Sequence, residues 1–516
     1  MVKPCVRQGL RQNWWFVALL LAPLAWADKH GSNPAPQHAA APRSTPAARP
    51  ATHSRPANTQ RPATTGNKPA ATSGRTFGTT HSPTATHTPG ATTRTGTTTT
   101  HAPGTATRTS TTTTHTPGMT SRSSTSTTRT PGMTTRTTTT RAFSNGTTAR
   151  VSATGRVQSI HTANGTTITR AAAGQRTVTR SYNGRTVVNT GPGRGYVERP
   201  YFNRGGRAYY QRTYVVGGRR YAYAYGRYAY HGFYYFGYAP AFYFRPAFYG
   251  WAFSPWAVPV YYHWGWFGAP WYAPYGYYFA PAPYYPVASL WLTDYLLAQD
   301  LQAAYEAQAA NAAANAAAAA GNPPPPGAQN TALTPEIKQA IAEEVKRQLD
   351  AERAAAATPG QPAGAQQVPA ALDPATRVFV VSSALDVTAG GQGCSLTAGD
   401  IITRIDDNPD ANQNVSALVT TSKKTDCPSG RKVTVSVQDL QEMHNQFSQQ
   451  IDAGLKTLAD NQGKNGLPSA PDTRTSAGEV PQPTPDDVQG ELQKQQAEAN
   501  QTETDVKQQV SGHGQG

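Results

Sequence analysis

Short runs that alternate β-branched and polar residues fill the segment 150–230. Asn164-Gly165 and Asn183-Gly184 separate several of them, and such pairs close tight hairpins because they accept positive φ. The pattern predicts an antiparallel β meander with Val, Ile and Tyr on one face and Arg and Thr on the other. The runs are Val157–Thr162, Thr166–Arg170, Arg176–Tyr182, Arg185–Thr190, Tyr209–Val216 and Arg219–Tyr225.

The apolar period changes to three and four residues farther along the chain, which predicts helices. An Ala-rich helix is expected at 288–320, with an apolar start that has to be buried. A second helix, 334–357, lies within the linker 321–371, and a third covers 438–460. For the second and third helices, packing on a neighbour is the simpler interpretation, and self-association or a coiled coil is the alternative.

The segment 231–293 is rich in aromatic residues and proline. No Asp, Glu, Lys or Arg occurs from Pro246 to Thr293, and all 26 tyrosines lie between Tyr182 and Tyr305. Seven prolines exclude one continuous membrane helix. The favoured interpretation is an irregular aromatic core packed on the preceding sheet. The alternatives are a surface for lipid or polysaccharide and a self-association patch.

The N-terminal third has few large apolar residues with which to form a core. Residues 87–140 repeat every 14 residues, with Pro-Gly turn signals at 89, 103, 117 and 131. We expect 28–149 to be a disordered, low-complexity Thr/Pro/Arg-rich stalk. Outside residues 377–437, the chain resembles uncharacterised secreted bacterial proteins with such stalks. The tail 461–516 is also expected to be disordered, apart from a helix near 488–510.

Residues 1–27 are typical of a secretory signal peptide, with a basic start, a short apolar run and the small-x-small site Ala25-Trp26-Ala27. We therefore expect export to the periplasm, the cell envelope or the medium, with Asp28 as the first mature residue. Cys394 and Cys427 then suit a disulfide bond worth about 4 kcal/mol, and two buried thiols are the alternative.

Charge is sorted along the chain. From Asp28 to Thr293 there are 28 Lys and Arg residues against two acids, whereas Asp294 to Gly516 carries 15 against 27. Such sorting indicates that the basic half contacts an anionic partner, and that its arginines project into water. An exported chain would meet anionic polysaccharide, lipopolysaccharide or a membrane surface, not intracellular nucleic acid. The candidate polyanion-binding residues are Arg94, Arg108, Arg122, Arg136, Arg204, Arg207, Arg219 and Arg220.

Catalytic and metal-binding motifs are absent from the sequence. It contains no HExxH, GxSxG, CxxC or phosphate-binding GxxxxGK[ST] pattern. The histidines of the basic stretch have no nearby acid to orient them as a general base. We therefore expect neither enzymatic activity nor a cofactor or metal site.

Residues 396–409, LTAGDIITRIDDNP, resemble part of a PDZ domain of the kind attached to bacterial envelope proteases. The resemblance covers 377–437, with a strand at 378–382, a short helix around 414–421 and a strand at 432–437. It implies a core formed by Leu396, Gly399, Asp400, Ile402 and Ile405, and binding of extended peptides. The Gly-Leu-Gly-Phe type of carboxylate-binding loop is missing before this segment, so a scaffold without peptide binding is the alternative.

The sequence thus predicts several segments: a disordered N-terminal third, a β meander, Ala-rich and amphipathic helices, and a small α+β PDZ-like domain with its helix at 372–460. The predicted function is non-enzymatic binding of anionic surface polymers or lipids. The alternative is a peptide-binding adaptor in envelope quality control, and self-association is open in either case.

Overall fold

The computed structural model describes part of the chain, within the unit Ser73–Gly516. The expected signal peptide and the first part of the stalk lie outside it. The described residues are 77–88, 91–102, 105–116, 119–129, 136–152, 156–170, 176–191, 193–216, 218–316, 332–357, 368–389 and 392–511.

Fourteen strands form one antiparallel sheet in which neighbours in sequence are neighbours in space. This confirms the predicted meander and extends it in both directions. The strands are β1 Phe77–Thr88, β2 Ala91–Ala102, β3 Thr105–Thr116, β4 Met119–Arg129, β5 Arg136–Ala142, β6 Thr148–Ser152, β7 Val157–His161, β8 Thr167–Arg170, β9 Arg176–Tyr182, β10 Arg185–Gly191, β11 Arg194–Arg204, β12 Arg207–Val216, β13 Arg219–Tyr230 and β14 Phe233–Ala239.

The described part of the repeat tract, β1 to β5, is sheet, which differs from the disordered stalk predicted for 28–149. Threonine is β-branched and favours extended backbone, and a Pro-Gly every 14 residues leaves strands of 11 or 12 residues, β1 to β4, that pair with one another. Threonine hydroxyls also meet across strands, at 3.2 Å between Thr95 and Thr112 and 2.9 Å between Thr125 and Thr139. Backbone ladders therefore form here without a large apolar core.

The predicted division of the meander into an apolar face and an arginine face is wrong. Val178 is fully buried, and Arg176 and Arg180 lie two residues away on the same side of β9. Both arginines pair with the helix that covers Val178. The tight turn predicted at Asn183-Gly184 is confirmed, since both residues have positive φ, 48° and 73°.

The α-helices of the described residues are α1 Pro246–Phe253, α2 Ala288–Ala316, α3 Pro335–Ala357, α4 Val437–Asn461 and α5 Gln489–Ser511. Four of them lie close to their predicted positions, and α1 lies in the aromatic segment, where no helix was expected. Ser436 caps α4, because its Oγ accepts the Asp439 backbone N–H at 3.0 Å. The stripes of α3 and α4 are buried within the chain, which is the simpler of the two interpretations. None of the helices in the described ranges has the length and apolarity of a membrane span.

The aromatic segment is an internal core from Tyr243 onward, where it packs on α2, α3 and α4, whereas its first part, Phe233–Ala239, is itself strand β14 of the large sheet. Trp264 Nε1 donates to the Tyr285 hydroxyl at 2.7 Å, and its ring stacks on Trp291 of α2 at 5.0 Å. The helices supply the aliphatic side chains that this segment lacks, which explains where its rings are buried.

A second sheet of six antiparallel strands follows, in the order β16-β19-β20-β21-β17-β18. Cys394 and Cys427 form a disulfide bond within it. A two-stranded sheet joins β15 to β22. The bounds are β15 Phe242–Phe244, β16 Val378–Val380, β17 Leu385–Ala389, β18 Gln392–Leu396, β19 Ile401–Arg404, β20 Asn414–Thr421, β21 Lys432–Ser436 and β22 Thr475–Ala477.

Two expectations from the PDZ-like resemblance are wrong. The helix expected around 414–421 is strand β20, and Ile405 is 44% exposed instead of being core. Ile405 follows the end of β19 three residues after the buried Ile402, an odd spacing that puts it on the opposite side. Leu396 and Asp400 are buried as expected, and Gly399 has the positive φ of a tight turn.

The C-terminal tail is structured, in contrast to the prediction for 461–516. β22 pairs with β15, and α5 confirms the helix expected near 488–510. Residues 512–516 lie outside the described residues. The tail has too little apolar surface to fold by itself, and it is ordered because it lies along the large sheet.

Candidate functional site: the arginine face and an adjoining cleft

One face of β8–β13, here called the arginine face, is covered by the acidic segment, residues 479–511. Seven ion pairs join the two. They are Arg170–Glu503, Arg176–Glu503 at 3.1 Å, Arg180–Glu498 at 3.1 Å, Arg185–Glu491 at 3.8 Å, Arg199–Asp486 at 2.5 Å, Arg207–Glu479 at 3.3 Å and Arg220–Asp487 at 3.3 Å.

Apolar contacts lie between these ion pairs. Val187, Val197 and Val215 pack against Val488 and Leu492, and nearer the other end of α5 a second cluster forms around Val178. On β9 the central apolar residue Val178 is flanked by Arg176 and Arg180, and α5 presents an apolar stripe flanked by glutamate.

Gly195 allows the close approach of α5 to β11. A Cβ at this position would lie 2.4 Å from the Val188 carbonyl oxygen and 2.9 Å from Leu492 Cδ2. Polar groups are also matched across the contact, because Gln495 Nε2 donates to the Val187 carbonyl at 3.0 Å. The acidic segment is therefore fitted to this face in shape as well as in charge.

Most of these ion pairs are partly exposed, and such pairs contribute about 0–1 kcal/mol each. The buried exception is Arg176, where desolvation lowers the pKa of the guanidinium despite the Glu503 carboxylate beside it. The hydrogen bond to Glu491 raises the pKa of the Tyr182 hydroxyl. The segment is thus held by many weak contacts.

The expectation that the arginines project into water is wrong for this face. Arg207 and Arg220 pair with the acidic segment, and Arg204 Nη1 donates to the Glu479 carbonyl at 3.0 Å. Arg219 is exposed at the start of β13. The physical reason is that acids of the C-terminal half complement the basic half within the chain. No local sequence pattern connects these acids to the arginines that they pair with, because the partners are about 300 positions apart.

The four repeat arginines lie beyond the acidic segment. In the strand register Arg94 is opposite Ala85 and Thr113, Arg122 is opposite Thr113 and Ala142, and Arg108 is opposite Thr99 and Thr127. Arg136 is opposite Thr128. Arg94, Arg122 and Arg136 therefore lie on one face of the sheet and Arg108 on the other. The structure does not bring them together with Arg204, Arg207, Arg219 and Arg220, which are on later strands.

Arg212 projects from the other face of β12 and is buried. Its Nε donates to Glu198 Oε2 at 2.7 Å, and its Nη1 donates to both oxygens of Glu442 on α4, at 2.7 and 2.9 Å. The guanidinium also lies 4.2 Å from the centre of the Tyr225 ring. Glu198, the only acid in the sequence between Lys29 and Thr293, is the sequence signal that could have identified this cluster.

A cleft of about 720 Å³ lies between β14, α3, α4 and the loop 368–376. Its lining combines apolar surface, which is the larger part, with polar side chains and charges of both signs. The side chains relevant to ligand binding are Arg207, Tyr228, Tyr243, Glu344, Arg347, Gln348, Glu352, Gln441, His444, Ser448 and Glu479.

Asn445 lines the cleft, and its side-chain amide forms hydrogen bonds with the backbone at the outer edge of β14. Its Oδ1 accepts the Tyr238 backbone N–H at 2.9 Å, and its Nδ2 donates to the Phe236 carbonyl at 2.8 Å. One amide thus replaces the backbone groups of a neighbouring strand. Strand addition by a peptide is blocked at these two residues.

Two buried carboxyl groups, Glu352 and Asp452, lie beside each other at the cleft wall. Desolvation and the neighbouring Asp452 raise the pKa of Glu352, and desolvation raises the pKa of Asp452 to about 7. The Tyr238 hydroxyl donates to Asp452 Oδ2 at 2.6 Å, and Gln348 Nε2 donates to Glu352 Oε1 at 3.1 Å. Burial and proximity therefore both favour the protonated form of this pair.

Glu352→Gln is expected to remove part of the pH dependence of stability. Both carboxyl pKa values are raised by folding, so the pair stabilises the fold fully below pH 4 and loses that contribution as pH rises towards 7. Urea unfolding should show the variant about 1 kcal/mol more stable than the natural protein at pH 8, and equal at pH 5. Exposed Glu343→Gln is the control, and equal pH profiles for E352Q and the natural protein would refute the assignment.

No protein-family model, curated protein or solved structure matches the chain. The PDZ-like resemblance of 377–437 therefore rests on the quoted residues alone.

Proposed function

We propose that the protein is an exported, non-enzymatic binder of anionic polymers, with its polymer site on the repeat strands β1–β5. One observation carries the proposal: the acidic segment ends beside β5, where Arg141 Nη1 donates to the Val510 carbonyl at 3.3 Å. The sheet continues past that point through strands that contain arginine and histidine and no acid. The arginine face is charge-matched internally, whereas the sequence of the repeat strands contains no acid of its own.

The repeat fixes the spacing of the arginine positions. Neighbouring strands lie about 4.8 Å apart. Arg94 on β2 and Arg122 on β4 are on one face and are separated by one strand, hence by roughly 10 Å across the sheet. A linear polymer that crosses the strands on this face would meet these two arginine positions in turn. Arginine suits this role because its guanidinium forms forked hydrogen bonds to phosphate, sulfate or carboxylate.

The candidate polymers for an exported protein are acidic polysaccharide and lipopolysaccharide. Binding by charge alone releases counterions, so the affinity should fall steeply with salt. This salt dependence distinguishes the proposed site from an apolar or hydroxyl-binding site. The peptide-adaptor alternative has no comparable support, since part of the edge strand β18 is occupied by the Asp426 carboxylate, which accepts the Ser395 N–H at 3.1 Å.

Replacing Arg94, Arg108, Arg122 and Arg136 together with Gln should reduce affinity for heparin, used as the probe, by about tenfold or more at low salt, because the arginine contacts of the polymer-binding face are lost. The matched control replaces Arg176, Arg180, Arg185 and Arg199 with Gln. These four replacements remove the same charge, but from the arginine face. The control should lose much less affinity. Column retention and circular dichroism of both variants measure binding and folding. Equal losses, or no retention of the natural protein at low salt, would refute the proposal.

A further inference from the structure

The cleft next to β14 contains two ion pairs, and a further acid of the lining, Asp373, lies near Arg347 at the loop side. Arg207 Nη1 lies 3.3 Å from Glu479 Oε1, and Arg347 forms an ion pair with Glu344 one turn earlier on α3. A charged ligand would have to break one of these pairs. An uncharged ligand with hydroxyl groups can donate to the carboxylate and accept from the guanidinium of an intact pair, and hydrogen bonds to charged groups are the stronger ones.

The cleft also offers polar groups and aromatic rings without net charge. Glu352 is nine-tenths buried or more, and its Oε2 has no hydrogen-bond partner among the described groups. Tyr228 and Tyr243 contribute ring surface, and Ser448 contributes a hydroxyl. Tyrosine rings combine apolar faces with a polar edge, which matches molecules that have apolar C–H faces and a polar rim.

From this lining we infer that the cleft is a binding site for a neutral oligosaccharide. The volume of about 720 Å³ lies in the range of small-ligand sites and accommodates a short oligosaccharide. Sugar hydroxyls would bind the Arg207–Glu479 and Arg347–Glu344 pairs at the two ends, and the C–H face of a ring would lie on a tyrosine. This site is separate from the anionic-polymer site and uses different chemistry.

The test is saturation-transfer NMR of the full chain with chitotriose, cellotriose and maltotriose at millimolar concentration. At least one trisaccharide should receive saturation, and moderate salt should leave the signal unchanged. Arg347→Gln should weaken that binding about tenfold, since a charge-assisted hydrogen bond is lost. Lys346→Gln is the matched control, because the adjacent Lys346 has its own i−3 partner, Glu343 at 2.9 Å, and does not line the cleft.

A second variant keeps the test independent of the ion pair. Ala351 is an exposed α3 residue at the cleft, so Ala351→Trp should fill the site and abolish the signal without disturbing the core. Ala340→Trp, on an exposed part of the same helix, should not. The inference is overturned if none of the trisaccharides receives saturation, if Ala351→Trp leaves the signal intact, or if a zwitterionic dipeptide binds the cleft instead.

Discussion

Replacing Lys338 with Met is expected to lower the free energy of unfolding by about 3–5 kcal/mol, because it leaves a carboxylate buried without its cation. Lys338 Nζ lies 2.5 Å from Asp294 Oδ1, and Asp294 is completely buried. The same ammonium donates to the Ala280 carbonyl at 2.9 Å. This pair connects α3, α2 and the aromatic segment.

The remaining contacts of Asp294 explain why the loss should be large. Its Oδ2 accepts the Ala282 N–H at 2.5 Å and the Tyr285 hydroxyl at 2.8 Å. Desolvation already raises the pKa of Asp294, and Lys338 opposes that rise. Without Lys338, the carboxyl group has to become protonated or the aromatic segment has to open.

Urea unfolding at neutral pH measures this effect. Lys346→Met removes an exposed lysine of the same helix and should change the unfolding free energy by about 0.5 kcal/mol or less. The double variant Asp294→Asn with Lys338→Met should recover part of the loss, because it removes both charges. A Lys338→Met protein as stable as the natural one would show that the pair does not hold the aromatic segment.

Replacing Glu491, Glu498 and Glu503 together with Gln is expected to raise heparin affinity at low salt by about a hundredfold. The three carboxylates neutralise Arg170, Arg176, Arg180 and Arg185. Arg170, Arg180 and Arg185 are partly exposed, so removal of the carboxylates makes these three guanidiniums available to the polymer. Glutamine retains hydrogen bonding and helix propensity, and the apolar stripe of α5 is unchanged, so the helix should remain docked.

The matched control for this variant is Glu343→Gln, Asp350→Asn and Asp460→Asn. These acids are 54%, 55% and 61% exposed and pair with cations of their own helices. The control changes the net charge by the same amount away from the arginine face. It should therefore change heparin affinity only slightly.

Local chemistry made much of the fold predictable. Arg176–Tyr182 was predicted as a strand and is strand β9, because Asn183-Gly184 supplies a specific turn after an alternating run. The helices α2, α3 and α4 were predictable from long apolar stripes. The strand β20 was predicted as a helix from the resemblance, although Val415, Val419 and Thr420 favour extended backbone.

Long-range complementarity was not predictable in the same way. The sorting of charge was visible in the sequence, but sorting fits an external polyanion and an internal acidic partner equally well. Arg180 and Glu498 are 318 positions apart, and no local pattern connects them. The cleft was also missed, since its walls come from β14, α3, α4 and a loop that are distant in sequence.

The central claim is that the acidic segment neutralises the arginine face and leaves the repeat strands as the polymer site. The most direct test is the slope of log affinity for heparin against log salt, which counts the cations that the polymer neutralises. We expect the slope of the E491Q/E498Q/E503Q protein to be steeper than that of the natural protein by about two to three. Equal slopes for these two proteins would contradict the account.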